Sequence, residues 1–355
     1  MTELCKMNTA RANPHITGLT QPVGQCTMRQ RSGNQFSSED VMADNRIQGV
    51  LAPVVTPFDR TLHPDAERLV RHCHWLLCNN VGLALFGTNS EGNSLSVAEK
   101  VDLLETLVKA AIPAERMMPG TGCCALPDSV ELTRQAVRLG CGGVLMLPPF
   151  YYKRVTEEGL FRSYAEIIER VGDSRLRVYL YHIPPIAQVS ISLNLIERLL
   201  KSYPGTVAGI KDSSGDWENT RAMLETFQSQ DFDVFVGSET FLLSTRRAGG
   251  AGCISATANV NPGAIAVLAA AWSAPDADEQ QAALNTLRQI FQRYPMIPAL
   301  KAAIGVHCGH PGWATVRPPL QPLEQAQCRS LLAELSAIGF SMPGLGDTTP
   351  RDVLE

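Results

Sequence analysis

From Gln48 onward, short apolar runs that stop at Gly, Pro, Asn or Asp alternate with longer stretches whose apolar positions recur at three and four residues. The runs occupy residues 50–55, 81–86, 116–120, 143–147, 177–181, 206–210, 233–236 and 252–255. Near-continuous apolar character over so few residues is the pattern of strands buried on both faces. The segments 64–78, 96–111, 126–139, 157–171, 193–201 and 217–230 are each long enough to be a crossover helix between parallel strands. Eight runs with alternating helices predict an α/β fold, a (β/α)8 TIM barrel over residues 46–261. A doubly wound open sheet is the competitor. It loses its main support because no G-x-G-x-x-G follows the first run and no G-x-x-x-x-G-K-[ST] occurs anywhere.

Beyond residue 261 the strand pattern stops, and 262–272, 278–293, 298–305 and 324–339 read as helices packed after the barrel. A C-terminal helical extension is therefore expected over 262–345, with the chain loosening from Met342 into a tail at 346–355. Residues 1–45 are rich in Thr, Gln, Asn, Ser and Gly, show neither period, and read as a mobile N-terminal extension. Lys6, Arg11, Arg29 and Arg31 give that extension a basic character compatible with a transit peptide, but Glu3 and the weak amphipathicity speak against one.

Composition narrows the function. The 355 residues are 45% hydrophobic and 19% charged, enough for a large core and against disorder throughout. With 31 basic and 35 acidic residues the net charge is -4, which leaves no electrostatic footprint for nucleic acid or an anionic membrane and favours a small-molecule partner. Ten cysteines without regular spacing suit a reducing compartment, and the absence of any apolar run of about 18 residues or a signal-peptide pattern points to a cytoplasmic protein.

A parallel barrel builds its site at the C-terminal ends of its strands. The sixth run ends in Gly209-Ile210-Lys211-Asp212-Ser213-Ser214. Of seven lysines, Lys211 alone terminates a buried strand, and the other six fall in helix, loop or extension segments where solvation is expected. An amine in the barrel mouth has its charged form disfavoured and becomes available as a Schiff-base nucleophile; the alternative is a lysine snorkelling to solvent. In the fifth run, alternation sets Tyr179 and Tyr181 on one face, so that Tyr181 is either a proton relay beside Lys211 or a core tyrosine. The second run ends in Phe86-Gly87-Thr88-Asn89-Ser90-Glu91-Gly92, a turn suited to a small carboxylate or simply a capped helix start. The glycines from Gly249 to Gly252 permit close approach to a ligand or tight packing alike. His72-Cys73-His74 with Cys78, Cys123-Cys124 and His307-Cys308-x-His310 do not reach a four-ligand pattern, so no metal is expected, and no G-x-S-x-G elbow supports a hydrolase.

Taken in order, these strand ends resemble the dihydrodipicolinate synthase and N-acetylneuraminate lyase superfamily of pyruvate-dependent class I aldolases. The resemblance covers about residues 47–340, through the stretch 49–58, the Gly-Thr turn with Glu91, Pro148 to Tyr152, the Tyr-x-x-Pro of Tyr181 to Pro184, Gly209 to Ser214, and Gly252 to Asn259. It implies that Lys211 forms an imine with pyruvate or another 2-oxo acid, with no cofactor beyond that covalent bond. It further implies that Tyr181 is the acid/base, Thr88 its relay partner, and Tyr151 a residue lent to the neighbouring subunit of a homotetramer, a dimer of dimers. The substrate carboxylate would rest on the turn of Thr88 and Asn89, with the Ile254 carbonyl lining the pocket.

Two departures matter. The usual Gly-Thr-Thr-Gly-Glu or Gly-Ser-Thr-Gly-Glu turn is here Gly87-Thr88-Asn89-Ser90-Glu91, with Asn89 a residue that accepts unusual backbone angles. Where synthases of the superfamily place an arginine for the second substrate's carboxylate, this chain has Ile186. An aliphatic side chain does not replace a bidentate arginine contact. The expected activity is therefore a carbon–carbon lyase or aldolase joining or separating pyruvate and an aldehyde, on a 2-keto-3-deoxy sugar acid or similar 2-oxo acid. The alternatives are 4-hydroxy-tetrahydrodipicolinate synthase, which uses pyruvate and aspartate semialdehyde, and a non-catalytic 2-oxo-acid sensor.

Overall fold

Strand β1, Gly49–Ala52, enters a sheet built from strands that all pair in parallel. The structure, a computed structural model, describes residues 46–346; the extension expected over 1–45 and the tail from 347 lie outside the described residues. In chain order follow α1 (Ala66–Cys78), β2 (Gly82–Leu83), α2 (Val97–Lys109), α3 (Leu126–Arg138), β3 (Val144–Met146) and α4 (Glu157–Val171). Then come β4 (Val178–His182), the short α5 (Pro184–Ala187), α6 (Leu193–Ser202), β5 (Val207–Asp212), α7 (Trp217–Phe227) and β6 (Asp233–Val236). The series continues with α8 (Leu242–Arg247), β7 (Gly252–Ile254), α9 (Pro262–Ala270), α10 (Ala277–Gln292), α11 (Met296–His307) and α12 (Gln325–Ala337).

The seven strands run in the order β2-β1-β7-β6-β5-β4-β3. The gap between β2 and β3 is closed by the run expected at 116–120, through the bridges Leu83↔Met117 and Gly120↔Leu145. Met118 N and Gly120 N donate to Leu83 O and Leu85 O at 2.8 and 2.7 Å, and on the other side Leu145 N donates to Pro119 O at 2.9 Å. Pro119 has no N–H to return to β3, so this eighth segment closes the barrel without forming a regular strand.

Side chains alternate between two apolar surroundings, which is why the runs read as apolar throughout. Leu51, Ala84, Met118, Leu145, Tyr179, Tyr181, Phe235 and Ile254 fill the barrel. Val50, Ala52, Leu83, Val236 and Cys253, with Val144, Val178, Leu180 and Ile210, pack outward against the helices. At the opposite end from the strand C-termini, Ile47 plugs the interior, Gln48 Nε2 donates to Asp233 at 2.9 Å and Tyr179 OH donates to the same carboxylate at 3.3 Å.

Helices α9 to α12 follow the barrel, as expected, and their apolar faces join the cluster under α1 and β1. One expectation fails nearby. Met342 is buried and Trp75 Nε1 donates to Pro343 O at 2.9 Å, so the chain from Met342 to the last described residue is docked on α1 instead of loosening. Among the described residues no helix is long and apolar enough to cross a membrane.

Candidate active site

The register between β4 and β5 makes the site. It pairs Val178 with Val207 and then Tyr179 with Gly209, so Ala208 is an extra residue in β5. Val207 points outward and Ala208 inward, and simple alternation from there would turn Ile210 inward and Lys211 outward. The bulge reverses this: Ile210 packs outward and Lys211 stands opposite Tyr181 inside the barrel.

Lys211 and Tyr181 are each about 2% exposed. Lys211 Nζ donates to Tyr181 OH at 3.3 Å and lies 4.3 Å from the centre of its ring. Tyr181 OH is also 3.2 Å from Thr88 Oγ1, where either oxygen can donate. Amine, phenol and hydroxyl thus form one chain from the barrel interior to the partly exposed Thr88 turn. Among the described residues no carboxylate comes within ion-pair distance of Lys211.

The Thr88 turn is a 3-10 segment, Thr88–Ser90, followed by Glu91 in the left-handed region at φ 54°. Phe86, just before it, is also left-handed at φ 58°, an uncommon conformation for a bulky residue that marks local strain. Its carbonyl is crowded from two sides: a Cβ on Gly92 or Gly120 would come within 2.0 or 2.6 Å of it. The unusual angles fall on Phe86 and Glu91, so Asn89 is not called on to supply them. Ser90, at the position where the superfamily has glycine, buries a hydroxyl that finds no hydrogen-bond partner.

Below this turn the structure corrects the expectation that every lysine except Lys211 is solvated. Lys301, on α11, is fully buried and paired with the equally buried Glu91, and it donates to Thr315 O at 2.8 Å. Burial pulls its pKa down to about 8 against the raising effect of Glu91. Lys100 on α2 is also buried, at 4% exposure. A signal for Lys301 existed: it interrupts Met296–His307, a helix apolar nearly all round, and such helices are buried. A second buried cluster has no signal in the sequence pattern. Glu239, after β6, accepts from Ser255 and Thr257 and pairs with Arg288 of α10 at 3.3 Å.

Other candidates are dispersed. Ile254 is buried within the barrel in register with Leu51. Asn89 is half-buried on the turn. Tyr151 is 72% exposed and packs edge-on against Tyr152 at 5.3 Å, and no hydrogen bond joins it to Tyr181 among the described residues. Ile186, on α5, is 60% exposed. Lys153 Nζ ties the two loops together by donating to Phe150 O and, at 3.1 Å, to Ala187 O. His182 and Asp212 face away from the cavity: Ile191 N donates to His182 Nδ1 at 3.0 Å and Thr220 Oγ1 donates to Asp212 at 2.6 Å. His72, a sequence candidate for metal ligation, is buried against Asn259 Oδ1 at 3.2 Å, and burial pulls its pKa down to about 4.

The model of the dihydrodipicolinate synthetase family matches residues 46–338. An uncharacterized DapA-like lyase of Chloroflexus aurantiacus is 33% identical over 312 residues, covering 87% of this chain and all of that protein. Dihydrodipicolinate synthase from Agrobacterium tumefaciens superposes with a TM-score of 0.75 at 28% identity, over 82% of this chain and 99% of that one. YagE, a prophage protein of the dihydrodipicolinic acid synthase family from E. coli K12 solved with pyruvate, gives a TM-score of 0.75 at 27% identity, over 82% and 99%.

Proposed function

The chain belongs to the dihydrodipicolinate synthetase family and is a carbon–carbon lyase, and we propose that it works through an imine between Lys211 and pyruvate or a related 2-oxo acid. The observation that carries this reading is the contrast between two buried amines. Lys301 has a carboxylate and a carbonyl as partners, whereas Lys211 has only the Tyr181 phenol at 3.3 Å. A nucleophilic amine must present a lone pair, and an ion pair opposes that.

In the cleavage direction, the Lys211 amine adds to the 2-oxo carbon and water leaves to give the imine. Loss of the proton from the C4 hydroxyl breaks the C3–C4 bond, and the electron pair passes into the imine to form an enamine. The aldehyde departs, C3 takes a proton, and water hydrolyses the imine to release pyruvate. Tyr181 OH would carry these protons, and its contact with Thr88 Oγ1, 3.2 Å away, supports a relay toward the turn. The N–H groups of the Thr88 and Asn89 turn suit the substrate carboxylate, and the Ile254 carbonyl lines the pocket beside it. Tyr151 would complete the site of a second copy in a homotetramer made of dimers, and its exposure in its own chain supports that reading. A cytoplasmic location belongs to the same proposal.

Ile186 shapes the choice of substrate. An exposed aliphatic side chain on α5 gives no anchor to a second carboxylate, and this favours an uncharged polyhydroxy aldehyde, hence a 2-keto-3-deoxy sugar acid. The likeness to the Agrobacterium synthase keeps condensation with aspartate semialdehyde as the second reading. Borohydride reduction in the presence of pyruvate, read by peptide mass spectrometry, tests the imine: the adduct is expected on Lys211 and absent from Lys211→Ala. Folded wild-type protein that gives no adduct with pyruvate or any other 2-oxo acid would refute it.

A further inference from the structure

The Glu91–Lys301 pair takes no part in the imine chemistry, yet it sits directly behind one of its groups. Glu91 follows the Thr88–Ser90 turn, and its N–H donates to Thr88 O at 3.2 Å. Its two carboxylate oxygens are both engaged, one by Lys301 Nζ and the other by Arg317 N at 2.9 Å. On the opposite side of the turn, Thr56 Oγ1 donates to Ser90 O at 2.7 Å. The left-handed backbone at Glu91 is a conformation that persists only where its surroundings over-determine it, and these bonds do so.

Stability alone does not account for the pair, because apolar residues of similar volume commonly serve a buried position as well or better. What an ion pair adds is a defined distance and direction. We infer that Glu91 and Lys301 are positioning residues: helix α11, from beyond the barrel, holds the Thr88 hydroxyl within reach of Tyr181 OH. The inference rests on the imine reading given above. It assigns to the C-terminal helices a part in aligning the proton relay, so that displacing the turn lengthens the 3.2 Å contact while leaving Lys211 and Tyr181 in register on β4 and β5.

The test uses Lys301→Met and the neutral pair Glu91→Gln/Lys301→Met, which leaves no uncompensated charge and keeps the experiment open if the single variant does not fold. Each is made with and without Thr88→Val. Two quantities are read: amide hydrogen exchange at Ser90, Glu91 and Gly92, and the rate of pyruvate capture by borohydride. In the neutral-pair protein those amides are expected to exchange about tenfold faster and capture to slow by about tenfold or more, with no further loss on adding Thr88→Val. Capture at the wild-type rate, or a Thr88→Val effect as large as in wild type, would overturn the inference, since a pair that only stabilises the fold would leave the two effects independent. If wild type itself is never captured, the imine reading fails. Exchange then decides separately whether the pair holds the turn, and unchanged exchange would sink that too.

Discussion

Replacing each buried lysine by methionine, which has a similar length and no charge, should have opposite consequences. At position 301 the change leaves Glu91 buried without its cation, a loss of about 3–5 kcal/mol for a broken buried pair. At position 211 no carboxylate is stranded. What disappears is one hydrogen bond at 3.3 Å and one amine–ring contact at 4.3 Å, about 1–2 kcal/mol together, while the cost of holding an amine at 2% exposure disappears with them. Lys211→Met should therefore fall within about 1 kcal/mol of wild type or exceed it, and have no turnover. At about 2–3 °C per kcal/mol for a chain of this size, the expected shifts are a fall of about 6–15 °C for Lys301→Met and little or no fall for Lys211→Met. Differential scanning calorimetry at one fixed protein concentration reads both, with circular dichroism to show that each variant folds. Equal destabilisation by the two substitutions would mean that Lys211 is held as a structural cation and is not available as a nucleophile.

Tyr181→Phe keeps the ring and removes the hydroxyl shared by Lys211 and Thr88, so turnover should fall by about 10²–10⁴-fold while the protein stays folded. A coupled assay for pyruvate release measures it, and near-normal turnover would place the proton relay elsewhere. Ile186→Arg should shift preference by about tenfold or more toward aldehydes bearing a carboxylate, checked by competing aspartate semialdehyde against glyceraldehyde in the condensation direction. An unchanged ratio would show that α5 does not face the second substrate. Acid should act through His72, whose pKa burial pulls down to about 4 in the folded protein from an ordinary 6.5. The unfolded chain then takes up the proton first, so stability is full above pH 6.5 and is lost as pH falls toward 4, by about 2 kcal/mol at pH 5. Denaturant titrations at pH 7.5 and pH 5 should show that extra loss in wild type and not in His72→Gln; an equal loss in both would exclude His72 as its source.

Much of the fold was legible because strand and helix differ in period and the boundaries carry their own chemistry. The crossover helix at Glu157–Val171 starts behind the Thr156 cap and ends at Gly172 in the left-handed region, both readable as letters. Helix α8 was not legible: six residues give too few turns for a period to emerge. The eighth barrel segment was visible as an apolar run, but Pro119 deprives it of a donor, so it appears as bridges. Met342 misled because a single apolar residue near a chain end has no period, and only its docking against α1 buries it.

The candidate site was legible where the proposed function depends on a strand end and obscure where it depends on distance in the chain. Lys211 could be singled out because it closes a buried run, although alternation alone would not have aimed it correctly: the extra residue Ala208 turns it inward. That bulge comes from pairing between two strands and has no signature in either one. Lys301 lies 210 residues from Glu91, and its burial arises only when α11 docks beneath the turn. The same helix shows why a lysine cannot be sorted by element type alone. A cation in a helix is expected in water when one face is polar, but α11 has no such face, so its one lysine had to find a partner inside. The carboxylate it found belongs to the turn that carries Thr88. The chemistry proposed for the barrel's strand ends would therefore draw on a helix that lies beyond the barrel.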